Sequence, residues 1–196
     1  MTKVLAETKN VWVVDTSNEI GGDSSIPHAC IGYARRMMVP SLAKQADKMI
    51  ECVQNHTPEV IVIDEIGRRA EVEAAKTTKL RGVRLIASAH GSSIMDLRKN
   101  TQLNGLLGGF QVATLSDNAA RMEEKKTGSF NKQKIQRIDD PVFEIVIELQ
   151  REKHHEWNII VDCARAVDSI LNGKGYVVQT RMRDATTGRI FVEKRQ

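Results

Sequence analysis

No apolar run in this 196-residue chain approaches the length of a membrane span, and no signal-peptide pattern opens it, which argues against a membrane-spanning helix. Cysteine is sparse. Cys30, Cys52 and Cys163 are odd in number and far apart, which suggests neither a disulfide framework nor a metal site and fits small packed residues in a reducing compartment. A motif is missing too: Gly-x-x-x-x-Gly-Lys-Ser/Thr occurs nowhere, Gly21-Gly22 has no lysine behind it, and Asn172-Gly173-Lys174-Gly175 has the wrong spacing. A phosphate cradle needs the glycines, whose N–H groups surround the phosphates, and the lysine for its charge.

What is present is an ordinary globular composition, 41% hydrophobic and 28% charged, long enough for one α/β domain with a small appendage. Its centre is Val60-Ile61-Val62-Ile63-Asp64-Glu65-Ile66-Gly67. The β-branched run after Pro58 reads as a strand buried on both faces, and two carboxylates stand where it ends. Such a pair fits either a solvated acidic turn or a site in which Asp64 helps hold Mg²⁺ on phosphates and Glu65 orients or deprotonates a water. Val11 to Asp15 reads as a second buried strand ending in an acid. The polar loop Thr16 to Asp23 behind it carries Glu19 and the Gly21-Gly22 pair. Val83 to Ala89 reads as a third strand, bringing Ser88, His90 and Gly91 to the same edge. In an open parallel sheet ligands lie beyond the carboxyl ends of the strands, so all three ends are expected around one cleft. Ser88 is placed to sense a terminal phosphate there, and His90 either touches the phosphate or a carboxylate or is a structural residue of the turn.

Around these strands, Met1 to Thr8 reads as the end of a helix closed by Asn10, and Ile26 to Pro40 as irregular. The pair Arg35-Arg36 there is either surface charge or a contact to a phosphate or a neighbouring subunit. Ser41 is expected to cap a helix whose stripe Leu42, Ala46, Met49, Ile50 and Val53 is core. Arg68 to Leu80 reads as a helix stopped at Gly82. Phe110 to Leu115 is a fourth strand and Ser116 to Glu124 a short helix, followed by a flexible segment, Lys125 to Lys134, with a hairpin tip at Gly128. Val142 to Leu149 alternates as a half-exposed antiparallel strand. A strand near Trp157 to Val161, a helix to Leu171, and a hairpin of Tyr176 to Arg183 with Ile190 to Glu193 complete the chain. The expected architecture is α/β: a RecA-like core of mostly parallel strands over 1–125, an antiparallel extension with a helix over 126–172, and a C-terminal hairpin over 173–196. That hairpin region, from Lys174 on, holds six basic residues against Asp184 and Glu193, a net +4 that equals the charge of the whole chain. It suits nucleic acid or an acidic partner, and equally a solvated edge that discourages strand pairing.

Taken together, Asp15-Thr16-Ser17-Asn18-Glu19-Ile20-Gly21-Gly22-Asp23, Ile26-Pro27-His28, Arg35-Arg36-Met37, Val60 to Gly67, Arg81-Gly82-Val83 and Ala89-His90-Gly91 resemble the stage III sporulation protein AA-like ATPases, with their cyanobacterial and plastid relatives. The resemblance runs from about Val11 to Leu171. It implies a P-loop NTPase similar to the RecA-like motors of secretion systems, with ATP and Mg²⁺ as ligands and a homo-oligomeric ring as assembly. Asp64 and Glu65 would be the Walker B acids, with Mg²⁺ held near Asp64 through water. Asp15 and Glu19 would lie in a second acidic box and His90 in a strand-end sensing motif; Ser88 stands where relatives often have threonine. The family's phosphate loop would precede Met1. The chain is thus expected to be a fragment of an ATP-hydrolysing motor-type protein, itself inactive, with one edge of its sheet left open; the alternative is a non-hydrolysing ring or nucleic-acid-binding module. The relatives imply a chloroplast, with the cytoplasm as the alternative.

Overall fold

A computed structural model describes residues 1–127, 130–150 and 152–195 of the chain. It divides into two compact units, one formed by 1–91 with 100–106 and the other by 92–99 with 107–196. The architecture is α/β, with a parallel four-stranded sheet in the first unit and antiparallel strands in the second. Among the described residues no helix is long and apolar enough to cross a membrane.

The first unit holds α1 (Thr2–Leu5), β1 (Val11–Asp15), β2 (Arg35–Met38), α2 (Gln45–His56), β3 (Val60–Glu65), α3 (Arg69–Leu80) and β4 (Arg84–Ser88). The strands are all parallel, in the order β2-β1-β3-β4. Every residue of β1 and the first four of β3 are buried, as expected of central strands covered on both faces. Side-chain alternation splits them. Val11, Val13, Val60 and Val62 pack with Ala6, Ile31 and Ala34. Trp12, on the opposite face, stacks on His56 at the end of α2, ring centroids 4.0 Å apart.

Several expectations are corrected here. The segment read as irregular contains β2, paired to β1 with Trp12 opposite Arg35 and Asp15 opposite Met38; Arg-Arg-Met-Met shows no period-2 pattern because an edge strand buries only Met37. Asn10 does not close the first helix. Its amide donates to the carbonyls of His56 and Thr57 and so caps α2, where Thr57 sits at φ 44°. Ser41 makes no capping bond, and α2 buries Gln45, Met49 and Cys52 while Leu42 is exposed. Burial, with Glu51 adding, pushes the Cys52 thiol up to about 12, which makes it an inert packed residue as expected. Gly82 ends α3 at φ 77°, also as expected. β4 lies at the edge of the sheet with Leu85, Ile86 and Ala87 only half-buried.

The second unit holds α4 (Ile94–Lys99), β5 (Phe110–Thr114), α5 (Asp117–Thr127), β6 (Gln133–Arg137), β7 (Val146–Leu149), β8 (Glu156–Ile160), α6 (Cys163–Leu171), β9 (Val178–Arg183) and β10 (Ile190–Arg195). The fourth strand of the sequence reading, β5, pairs antiparallel with β6, which begins inside the stretch expected to be flexible. Gly128, the expected hairpin tip, lies outside the described residues. The other strands form an antiparallel sheet ordered β10-β9-β8-β7, and the C-terminal hairpin is confirmed. One face of this sheet packs Val146, Ile160 and Val178 against Cys163, Ala166 and Val167 of α6.

Arg137 ties β6 to α6 by a two-pronged ion pair, Nε to Asp168 Oδ1 at 2.7 Å and Nη2 to Oδ2 at 3.0 Å, with Asp140 at 3.1 Å. The Arg137 bonds hold the Asp168 carboxyl below the usual carboxylate range. A depressed folded-state value stabilises above the unfolded value of about 4, and that gain disappears as the pH falls through the folded value. Asp168 is half exposed, so about 1 kcal/mol is expected after screening. Arg137→Met should lower the unfolding free energy from urea titration at pH 7 by that amount and leave stability flatter than wild type below about pH 4; an unchanged acid limb would count against the ion pair.

Candidate functional site

The ends of β1, β3 and β4 lie side by side at one edge of the parallel sheet, as the expectation of one cluster required. The pairing of β3 with β4 jumps from Ile63–Ala87 to Glu65–Ser88, so Asp64 is a bulge. A bulge at a strand end re-aims the side chains beside it. Asp64 Oδ2 accepts the N–H groups of Thr16 at 3.0 Å and Ser17 at 2.8 Å, and Oδ1 accepts the N–H of Glu65 at 2.8 Å. The carboxylate thereby fastens the loop after β1 to the end of β3. Ser88 donates its hydroxyl to the Asp64 carbonyl, and its own carbonyl accepts Ile66 N–H at 2.8 Å. Glu65 is different: its carboxylate reaches solvent, 3.3 Å from Nε2 of the still more open His90.

Asp15 is fully buried. Its oxygens accept the N–H groups of Glu19 at 3.1 Å, Ile20 at 3.0 Å and Gly21 at 2.6 Å. The acid that the sequence reading assigned to ligand binding is therefore the internal anchor of the loop, and Glu19, like Asp23, is a carboxylate which that loop presents to solvent. Arg36 closes the loop from the other side, donating to the carbonyls of Gly21 (3.0 Å), Gly22 and Ser24. A Cβ on Gly21 would stand 2.6 Å from Arg36 Cδ, so glycine is needed for that approach. Arg35 lies over the Trp12 ring, 5.6 Å from its centroid.

Two residues of the site escaped the sequence reading. Gln45, almost wholly buried, accepts the Thr16 hydroxyl at 2.5 Å and donates to the Glu65 carbonyl, joining the β1 loop to the main chain that carries Glu65. Its signal was the i, i+4, i+7 spacing with Met49 and Cys52. Glu71, also buried, accepts the N–H groups of Gly67 at 2.8 Å and Arg68 at 3.0 Å. A glutamate at the third position of α3 is half of a capping box, and it fixes the turn behind Glu65.

Among the described residues no group of three or more His, Cys, Asp or Glu could hold a metal ion by itself. Mg²⁺, however, keeps several waters and takes only one or two carboxylates plus substrate phosphates. Asp64, with its oxygens oriented by three N–H donors and still half-exposed, fits that limited role.

The model of the family described as sporulation stage III, protein AA matches residues 4–136. The chain is 43% identical over 195 residues to the uncharacterized protein ycf45 of Porphyra purpurea, covering 98% of this chain and 33% of that protein. It is 43% identical over 183 residues to the SEEDLING PLASTID DEVELOPMENT 1 protein of Arabidopsis thaliana, covering 92% of this chain and 26% of that one. The stage III sporulation protein AA of Bacillus subtilis is 36% identical over 95 residues, 48% of this chain and 30% of the relative. The chain thus spans about a quarter to a third of these relatives' length. The Arabidopsis relative is named for plastid development and, with the Porphyra match, supports a plastid location. With the family model matching from the first helix to β6, this chain belongs to the sporulation stage III protein AA family.

Proposed function

We propose that this chain supplies the acid-bearing half of an ATP-hydrolysing site in a RecA-like, ring-forming motor protein of the plastid, converting ATP and water to ADP and phosphate. The observation that carries this reading is the solvent-facing Glu65 carboxylate, paired with His90 at 3.3 Å, beside the bulged Asp64 at the ligand-binding edge of a parallel sheet. Mg²⁺, when bound, neutralises charge on the phosphates, and Asp64 is the residue that would hold it, through water. Glu65 orients the attacking water and takes its proton. His90 keeps the Glu65 carboxylate facing the cleft, and Ser88 holds the bulge through the Asp64 carbonyl. Asp15 and Arg36 set the loop that presents Glu19. Arg35, which opens the edge strand β2 over the Trp12 ring and so lies away from the strand ends, is a cation open to a neighbouring subunit rather than to the phosphates. The phosphate cradle, for which this chain has no glycine-lysine motif, comes from another part of a longer protein.

Purified 1–196 should show no turnover above background at saturating Mg²⁺-ATP. A longer form carrying a phosphate loop should hydrolyse ATP, and Glu65→Gln should slow it by roughly 10²–10⁴. Steady hydrolysis by 1–196 itself, abolished by Glu65→Gln, would overturn the division of the site. An active long form indifferent to Glu65→Gln would remove Glu65 from the chemistry.

A further inference from the structure

Charge is sorted by face in the β10-β9-β8-β7 sheet, and the strand register shows how. In antiparallel pairs, residues directly opposite share a face, and the faces alternate along each strand. Leu149, Trp157, Arg181 and Val192 therefore form one row across all four strands. Ile147, Ile159, Gln179 and Lys194 form the next row on the same face. Val146, Ile160 and Val178, which pack on α6, belong to the other face. So does Glu193, opposite Thr180 and bonded to Arg195 at 2.7 Å. The other acid of the hairpin, Asp184, spends its carboxylate on the N–H groups of Thr186 and Thr187 in the turn. The face away from α6 is left with Arg181, Arg183 and Lys194. Among the described residues, none of these three forms an ion pair.

Around its rim that face is open and apolar between the cations, while Ile159 at its centre is buried. Leu149 is 71% exposed, Val192 57% and Ile190 54%, and Trp157 is half-buried at its middle. Arg181 Nε, in register with Trp157, is a buried donor with no hydrogen-bond partner; such groups are rare in folded proteins and call for an explanation. The family match stops at residue 136, before β7 begins, so this sheet is an addition to the matched region.

We propose that this open face is a platform for single-stranded nucleic acid. An aromatic and flat apolar side chains give bases a surface to stack on, and Arg181, Arg183 and Lys194 around them meet the phosphates. A duplex keeps its bases in its own stack and cannot use Trp157. The short rows of four side chains suit two or three nucleotides at about 4.8 Å between strands. The proposal stands apart from the ATPase reading, because none of its residues belongs to the parallel-sheet unit.

The test is fluorescence anisotropy of labelled U12, dT12 and a 12-bp duplex titrated with the full chain between 50 and 300 mM salt, with tryptophan emission read in parallel. Both single strands should bind more tightly than the duplex and quench tryptophan emission. With about three phosphates engaged, log affinity should fall with log salt at a slope of roughly −2. The difference between U12 and dT12 tells whether the 2′-hydroxyl is read. Lys194→Glu should weaken binding at least tenfold, whereas Arg195→Glu, the same charge change on the opposite face, should weaken it far less. Trp157→Leu should remove about tenfold and the quenching. Lys194 is exposed, so its variant keeps the fold even if Trp157→Leu does not. No binding at 50 mM salt, equal binding of the duplex, or equal losses from Lys194→Glu and Arg195→Glu would overturn the proposal. So would a concentration-dependent dimer, seen in sedimentation and lost in Lys194→Glu, with no oligonucleotide bound.

Discussion

Asp15→Ala is expected to destabilise the parallel-sheet unit by about 3–5 kcal/mol, a large part of the 5–15 kcal/mol that holds a typical domain together. The reason is the number of donors left behind. Asp15 is wholly buried and accepts three consecutive main-chain N–H groups, those of Glu19, Ile20 and Gly21. Alanine leaves all three without an acceptor, at about 1–3 kcal/mol for each group that cannot reach water. Relief from burying a charge offsets part of this. Asp15→Asn should cost less, since one amide oxygen still accepts while its NH₂ faces an N–H. The change should register as a lower urea midpoint, with amide exchange accelerated at 19–21 before it rises in β3. A loss under 1 kcal/mol would mean that the loop finds other acceptors and that Asp15 is free for a ligand.

Gly108→Ala should cost more than about 3 kcal/mol, for two reasons that add. The residue sits at φ 99°, where an L side chain is strained by about 1–3 kcal/mol. Its added Cβ would stand 2.1 Å from the Asp139 carbonyl oxygen, far inside contact, and that atom is main chain that cannot swing aside. The Asp139 N–H bonds back to the Gly108 carbonyl at 3.0 Å, so any shift pulls on the start of the β5–β6 ladder. Gly82→Ala is the control: its φ is 77°, but nothing lies within 4 Å of its Cβ, and only the strain of about 1–2 kcal/mol remains. The two variants compared by urea unfolding separate strain from collision. Equal losses would show that the main chain at Asp139 yields.

Both sites lie where the sequence was hardest to read. Glycine at 108 carries no label of its φ, and its neighbour in space is 31 residues away in the chain. Asp15 was recognised as an acid at a strand end, yet whether such an acid faces a ligand or its own loop depends on how the loop turns back. Arg36 shows the same limit: a cation next to Arg35 in sequence is drawn inward by three carbonyls of a loop twelve to fifteen residues upstream.

The sequence alone determined which segments are buried strands, that β1 and β3 end in acids, and that β1, β3 and β4 are parallel neighbours with one shared edge. Those properties are local: a β-branched run needs cover on both faces, and a charge stops it. It also determined the C-terminal hairpin, from two strand-like runs separated by a turn near Gly188. Only the tertiary structure decided that Asn10 caps a helix 46 residues downstream, that Gln45 joins Thr16 to Glu65, and that β5 leaves the parallel sheet to pair with β6. It likewise decided which face of the last sheet the cations occupy, since one residue of register moves every side chain to the other side. Hydrogen bonds over long sequence separations and the choice of pairing partner are set by packing, and no window along the chain contains them.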